Sequence, residues 1–280
     1  MTQNILCADR SERGKLRFTG EQRGWFLHQM LTQAYEDMGA GEARDAALIT
    51  VHGRMQAYVE VVATNDSMLM HFERELADTL PEALRRYVFA TRVTIDDVSS
   101  EYGLVLVAGE GWHELAGGLE GGLQHATASL GIPAGYVWIP SDTVDDTIGS
   151  LEEAGARVAT EEELEAIRIS NGVPRWGRDM DTKTFPQEAG IDSRAVHYDK
   201  GCYLGQEAMA KIHFRGKVNR RLALLQPDSP VSPGAVITLA DQKVGTITSS
   251  SEGVALALVR HSVEPGTVVE AGGISATVAS

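Results

Sequence analysis

The sequence predicts an α+β fold that ends in a small β-barrel, and three observations carry this. Up to about residue 217, apolar residues recur at helical spacing in some stretches and alternate in others, so helices and strands interleave. From Val218 onward Pro227, Pro230, Pro233 and Gly234 break the chain into short β-rich runs, the pattern of a barrel of about five or six strands. With 280 residues and 43% apolar content, the chain can bury a core of this size.

The elements follow in order. Lys15–Phe18 reads as a short strand. Thr19 is placed to cap a helix, with Gln22 at the capping-box position and Phe26, Leu27, Met30, Leu31 and Ala34 as its apolar stripe. Gly39 and Gly41 end it. Strands are expected at Ala46–Val51, Met55–Ala63 and Met68–Phe72, with turns at His52-Gly53 and Asn65-Asp66. Glu73–Val88 is helical, and Pro81 opens a second helix within it. Strands recur at Arg92–Ile95 and Leu104–Val107. The following Gly109-Glu110-Gly111 imitates a dinucleotide fingerprint, but Glu114 stands where the third glycine belongs and no βαβ unit follows, so a nucleotide fold is excluded. Tyr136–Ile139 reads as a strand, and Ser141–Glu153 and Glu161–Asn171 as helices. Thr160 and Glu163 form a capping box, Gly172 sits just past the helix, and Pro174 forbids continuation. Ala195–Tyr198 alternates as a strand would, and Gln206–Lys211 favours helix. The barrel strands are expected within Ala235–Leu239, Val244–Thr248, Val254–Arg260, Thr267–Glu270 and Ile274–Val278. Trp25, Trp112, Trp138 and Trp176 are assigned to cores.

Charge and cysteine content narrow the function. The net charge is −14, which repels nucleic acid. Against it stands a basic segment, Lys211 to Arg221, suited either to a small anion or to a solvated face. Two cysteines, Cys7 and Cys202, make no disulfide framework and suit a reducing compartment. Met1–Gly14 has no apolar signal core, and the longest apolar run, Val254–Val259, is too short to span a bilayer. The expected setting is cytoplasmic, without a membrane partner.

One segment stands apart: Lys200-Gly201-Cys202-Tyr203-Leu204-Gly205-Gln206-Glu207. It places Cys202 at a glycine-flanked turn leading into a helix. Lys200 and the helix N-terminus would both favour a thiolate there. A small buried structural cysteine is the alternative. His197, Cys202 and His213 lack the spacing of a metal or cluster site, so no metal is assigned.

The octapeptide, followed by His213-Phe214-Arg215-Gly216-Lys217-Val218-Asn219-Arg220-Arg221, resembles the signature of the YgfZ family of folate-binding proteins, relatives of the T-protein (aminomethyltransferase) of the glycine cleavage system. Leu16–Gly20, His52–Met55, Arg168–Pro174 and Phe185–Gly190 are similar to further family segments. The resemblance implies an aminomethyltransferase-like α+β region of two subdomains over residues 1–216, arranged around a central folate cleft, and a C-terminal β-barrel over 217–280. It implies a tetrahydrofolate-binding accessory protein that supports iron–sulfur cluster assembly or repair, with folate and iron–sulfur client or assembly proteins as partners. The alternative is a folate-dependent aminomethyltransferase or other one-carbon transferase. Site residues follow by the same route: Cys202 as functional thiol with Lys200, and Glu188, Tyr203, Gln206, Glu207 and Arg215 at the cofactor. The T-protein's acidic pair falls at Ala57 and Tyr58, which leaves no carboxylate there and disfavours aminomethyl transfer. The family's tryptophan contacts find no counterpart on this chain; the nearest aligned positions are Arg13 and Leu164.

Overall fold

The computed structural model describes residues 5–119, 121–216 and 218–279. Two five-stranded sheets precede a closed barrel. The first sheet contains β1 (Leu6–Asp9), β7 (Tyr102–Ala108), β8 (Leu123–Ala126), β9 (Ala134–Pro140) and β10 (Arg157–Val158), in the order β10-β1-β7-β9-β8. The second contains β2 (Gly14–Thr19), β3 (Ala43–Ile49), β4 (Met55–Ala63), β5 (Ser67–Phe72) and β6 (Thr94–Asp97), in the order β3-β4-β5-β2-β6. The barrel runs β11 (Arg220–Pro227), β14 (Val254–Arg260), β13 (Gln242–Ser251), β12 (Val236–Leu239), β15 (Val268–Ala271), β16 (Ile274–Val278), and β16 closes on β11.

Strand alternation decides the layering. In the first sheet Val105, Val107, Val137 and Ile139 point to one face, covered by α3 (Trp112–Ala116) and α4 (Val144–Glu153). Leu104, Leu106, Tyr136 and Trp138 point to the other, where they meet Val62 and Leu69 of the second sheet and Leu164 of α5 (Glu161–Ser170). The second sheet turns Val59, Val61, Met68, Met70 and Phe72 the opposite way, onto α1 (Arg23–Met30) and α2 (Thr79–Arg85). Tyr58, Glu60 and His71 therefore lie on the face between the two sheets.

The structure corrects several expectations. Thr19 does not cap α1: it pairs with Ser67 and Thr94 in the ladder, and Gln22 holds the cap position without a side-chain hydrogen bond. Ala195–Tyr198 is not a strand. Adjacent Ala195 and Val196 are both buried, and α6 (Asp192–Ala195) makes one helical turn there. Trp25 is 44% exposed rather than in a core, whereas the other three tryptophans are buried. Pro81 is the third residue of α2, where a missing N–H breaks no intrahelical bond. The capping box of α5 forms as expected, with Thr160 and Glu163 satisfying each other's backbone N–H groups. Strands β1, β8 and β10, and the first barrel strand β11, lie outside the expected strand ranges. No described helix is long and apolar enough to cross a membrane.

Candidate functional site

The octapeptide is a turn between α6 and α7 (Gln206–Arg215). Gly205 is the N-cap of α7 at φ 82°. A β-carbon there would lie 2.4 Å from the Thr50 carbonyl oxygen, so only glycine lets the turn seat on the end of β3. Gln206 closes the loop by donating from Nε2 to the Lys200 carbonyl at 3.3 Å. Glu207 is exposed and pairs with Lys211 at 2.7 Å.

Lys200 does not serve Cys202 in the way its position suggested. Its ammonium is buried and donates to the carbonyl oxygens of His28, Leu31 and Gln33 at 2.5, 2.6 and 2.7 Å. These include orphan carbonyls at the end of α1, so Lys200 caps that helix. Burial pushes its pKa down to about 7, and the Glu36 carboxylate only partly opposes that shift. The Tyr203 ring lies 4.5 Å from the ammonium nitrogen, and the phenol is buried. Burial raises the Tyr203 pKa to about 12. Cys202 itself is exposed, and Cys7 is buried in the first sheet. Arg215 is the last residue of α7, and its side chain lies outside the described part of the structure.

Glu188 is 3% exposed. Both of its oxygens face Arg220 of β11, at 3.0 and 2.9 Å, and one also accepts from the Phe185 N–H at 3.2 Å. The Glu188 carbonyl accepts from Leu222 N–H at 2.7 Å. This carboxylate fastens the barrel to the preceding region, and both of its oxygens already face a guanidinium.

A second constellation lies between the sheets. Arg10, Arg13, Arg168, Arg175 and Arg194 line a central cavity with Tyr58, Glu60, Glu73, Glu161, Glu165, Leu164 and Trp176. It measures about 560 Å³ with its mouth. Glu73 accepts from Arg13 at 2.5 Å and from Arg175 at 3.1 Å. Burial raises the Glu73 pKa, but the two arginines outweigh it and the net direction is down. Glu161 joins Arg10 and Arg175. Tyr58 donates its hydroxyl to Asp45 at 2.5 Å and accepts from Arg194 at 3.1 Å. Thus a carboxylate does stand where the sequence suggested none: Asp45 reaches Tyr58 from the neighbouring strand, and Glu60 lies two residues further along the same face. Arg13 and Leu164, the positions nearest to the family's tryptophan contacts in the resemblance, both line this cavity.

Sequence reasoning missed Asp45, Glu60, His71, His125 and Arg194. The available signal was weak: Glu60 and His71 sit at alternating positions of the expected strands Met55–Ala63 and Met68–Phe72, as residues of a solvated strand face would. Arg168 was inside a quoted motif, but its role emerges only in three dimensions. It bridges Glu165 and Asp179, and reaches Ser249 of the barrel at 2.8 Å.

The sheets and barrel together make an aminomethyltransferase-like fold. An aminomethyltransferase of the glycine cleavage system from Bartonella henselae superposes with a TM-score of 0.89, covering 99% of this chain and 85% of that one at 16% identity. Residues 219–280 match the model of the CAF17 C-terminal β-barrel domain. The chain is similar to a chloroplastic protein of Arabidopsis thaliana named as a transferase, at 26% identity over 89% of this chain and 62% of that protein's length. It is 26% identical to the tRNA-modifying protein YgfZ of Sodalis glossinidius (strain morsitans), over 75% of this chain and 68% of that protein. It is 35% identical to the human mitochondrial iron–sulfur cluster assembly factor IBA57, over 33% of this chain and 28% of that protein. The resemblance carried by the octapeptide therefore extends well beyond it.

Proposed function

We propose that the protein binds tetrahydrofolate in the central cavity and supports iron–sulfur cluster assembly or repair in client proteins, in the cytoplasm. The observation that carries the folate reading is a set of buried polar atoms with no hydrogen-bond partner among the described residues: Glu60 Oε2 and Arg194 Nη2, whose residues line the cavity, and His71 Nε2 and His125 Nε2, whose rings stand beside Glu60. Such atoms are normally satisfied, and a polar heterocycle supplies donors and acceptors to meet them. Arginines provide for an anionic tail. Glu188 is a weaker choice for the pterin, because Arg220 already faces both of its oxygens. The client role rests on the similarity to IBA57, on the aminomethyltransferase-like fold and on exposed Cys202, which is free to meet a partner.

Calorimetry with tetrahydrofolate tests the site. Arg194→Met is expected to weaken binding at least about tenfold through loss of a charge-assisted contact, while Glu188→Ala leaves affinity close to wild type. The opposite ranking moves the ligand to the barrel junction. Deletion in the native host, followed by assays of several iron–sulfur enzymes, tests the client role; unchanged activities refute it.

Asp45 and Glu60 favour a second reading, a folate-dependent one-carbon transferase. Turnover of an aminomethylated lipoyl carrier above about 1 s⁻¹ would establish it, and its absence leaves the accessory role.

A further inference from the structure

We infer that Glu60, His71 and His125 form a buried proton-sharing triad, which makes Glu60 the acid–base group of the central cavity. This rests on the reading of that cavity as the folate site. The three side chains come from β4, β5 and β8 and are 3%, 0% and 4% exposed. One ligating atom of each lies within 4.8 Å of the others. Glu60 Oε2 and His71 Nε2 are 3.9 Å apart, a gap that one bridging water or a small rotation closes.

The tautomers are fixed by the outer neighbours. Arg13 Nε donates to His71 Nδ1 at 3.0 Å. A guanidinium has no acceptor, so His71 Nδ1 carries the lone pair and its proton is on Nε2, towards Glu60. His125 Nδ1 faces the Ala126 carbonyl oxygen at 3.1 Å. A carbonyl only accepts, so His125 carries its proton on Nδ1 and its lone pair on Nε2. Glu60 therefore stands between an N–H donor and a nitrogen acceptor. Tyr136 and Trp138 pack edge-on against the His71 ring, at 4.6 and 5.7 Å between centroids, and hold its plane.

Two imidazoles and a carboxylate at this spacing would also suit a divalent metal. The chemistry points away from it. A metal needs the lone pair that His71 directs at Arg13, and the adjacent guanidinium repels a cation.

The charges facing Glu60 set where the proton rests. Burial first, and Asp45 on β3, push its pKa up to about 8, against Arg13 and Arg194. Burial pushes His125 down to about 4 and His71 lower than its ordinary value. Tyr58 and Tyr136, also pushed up by burial, stay neutral. Near neutral pH the shared proton is thus on Glu60. When a basic nitrogen of a reduced pterin approaches, the Glu60 O–H bond breaks and an N–H bond forms on the ligand. The electron pair stays on the carboxylate, which His71 Nε2–H then stabilises.

Calorimetric titration of tetrahydrofolate in buffers of different ionisation enthalpy, at about pH 7–8, measures the protons exchanged with solvent on binding. Because the proton that Glu60 passes to the ligand stays in the complex, the wild type is expected to take up from solvent about 0.1 proton at pH 7, rising to about half a proton at pH 8, as free Glu60 loses its own proton. Glu60→Gln should bind with that exchange abolished. An unchanged proton count in Glu60→Gln overturns the triad. So does stoichiometric cobalt(II) binding to the wild type that is lost in His125→Gln. If no folate binds, the folate reading fails while the triad remains testable. The wild-type minus Glu60→Gln infrared difference should then show a protonated carboxyl titrating near pH 8. A carboxylate ionised from about pH 5 upwards refutes the triad.

Discussion

Replacing Arg168, one of the arginines that line the central cavity, by methionine should be among the most damaging single changes. The guanidinium lies with 4% of its side chain exposed against Asp179, whose side chain is 0% exposed, at 2.7 Å. It also donates to both oxygens of Glu165 at 2.6 Å, to the Val173 carbonyl at 2.9 Å and to Ser249 of β13 at 2.8 Å. Asp179 in turn accepts from Thr248 on the same barrel strand at 2.5 Å. Methionine fills most of the volume but leaves the Asp179 charge buried without its partner. Removing one member of such a pair destabilises by about 3–5 kcal/mol. Against a total stability of roughly 5–15 kcal/mol, that is a large share. Urea unfolding should show the midpoint falling by roughly 1–2 M, if the slope is near the upper end for a chain of this size, about 3 kcal/mol/M. Adding Asp179→Asn removes the stranded charge and should recover part of the loss, so the two changes are strongly non-additive. A loss under about 1 kcal/mol for the single variant, or simple additivity, would refute this account of how the barrel is seated.

Four further outcomes are expected. Gly205→Ala forces a left-handed backbone and a 2.4 Å approach to the Thr50 carbonyl, so thermal unfolding should drop by several degrees, about 2–4 kcal/mol; an unchanged midpoint would show that the turn can shift. Cys202→Ser touches an exposed side chain and should leave stability unchanged, yet impair rescue of iron–sulfur enzyme activities in a deletion strain; full rescue assigns the cysteine no chemistry. Glu60, with a folded pKa near 8, binds its proton more tightly when folded. Its contribution is present below the ordinary carboxylate pKa and is lost as pH rises through 8, so Glu60→Gln should flatten the fall in stability over that range, and parallel wild-type and variant curves would contradict it. Glu188→Ala frees Arg220 at the barrel junction and should lower stability by about 1–3 kcal/mol, measurable by the same denaturation; a neutral result would mean the backbone contact to Leu222 suffices.

Much of the architecture was legible wherever local chemistry and tertiary context agree. Met55–Ala63, Val254–Arg260 and Ile274–Val278 form strands with the expected limits, because turn residues bound each run on both sides. The Thr160–Glu163 box marks α5 because its two bonds are local. Thr19 failed for the opposite reason: its capping potential is local, but ladder pairing on both sides outcompeted it. The cavity was illegible on similar grounds. Glu60, His71 and His125 each look like the polar face of a separate strand, and only stacking two sheets brings them together. Lys200 shows the limit of motif reading. Its neighbours in sequence suggested a partner for Cys202, whereas its acceptors lie near the start of the chain, beyond the reach of any local pattern.

That reach has a consequence for the order in which the nascent chain matures. The carbonyls Lys200 satisfies precede it by 172, 169 and 167 residues. At translation rates of about 5–20 residues per second, α1 emerges roughly 10–30 s before the side chain that finishes it. During that interval the helix end can be solvated only by water, and any chaperone attending the early product meets an unlatched first segment. A product released before Lys200 would hold the strands of both sheets without the residue that locks α1 to the turn carrying Cys202.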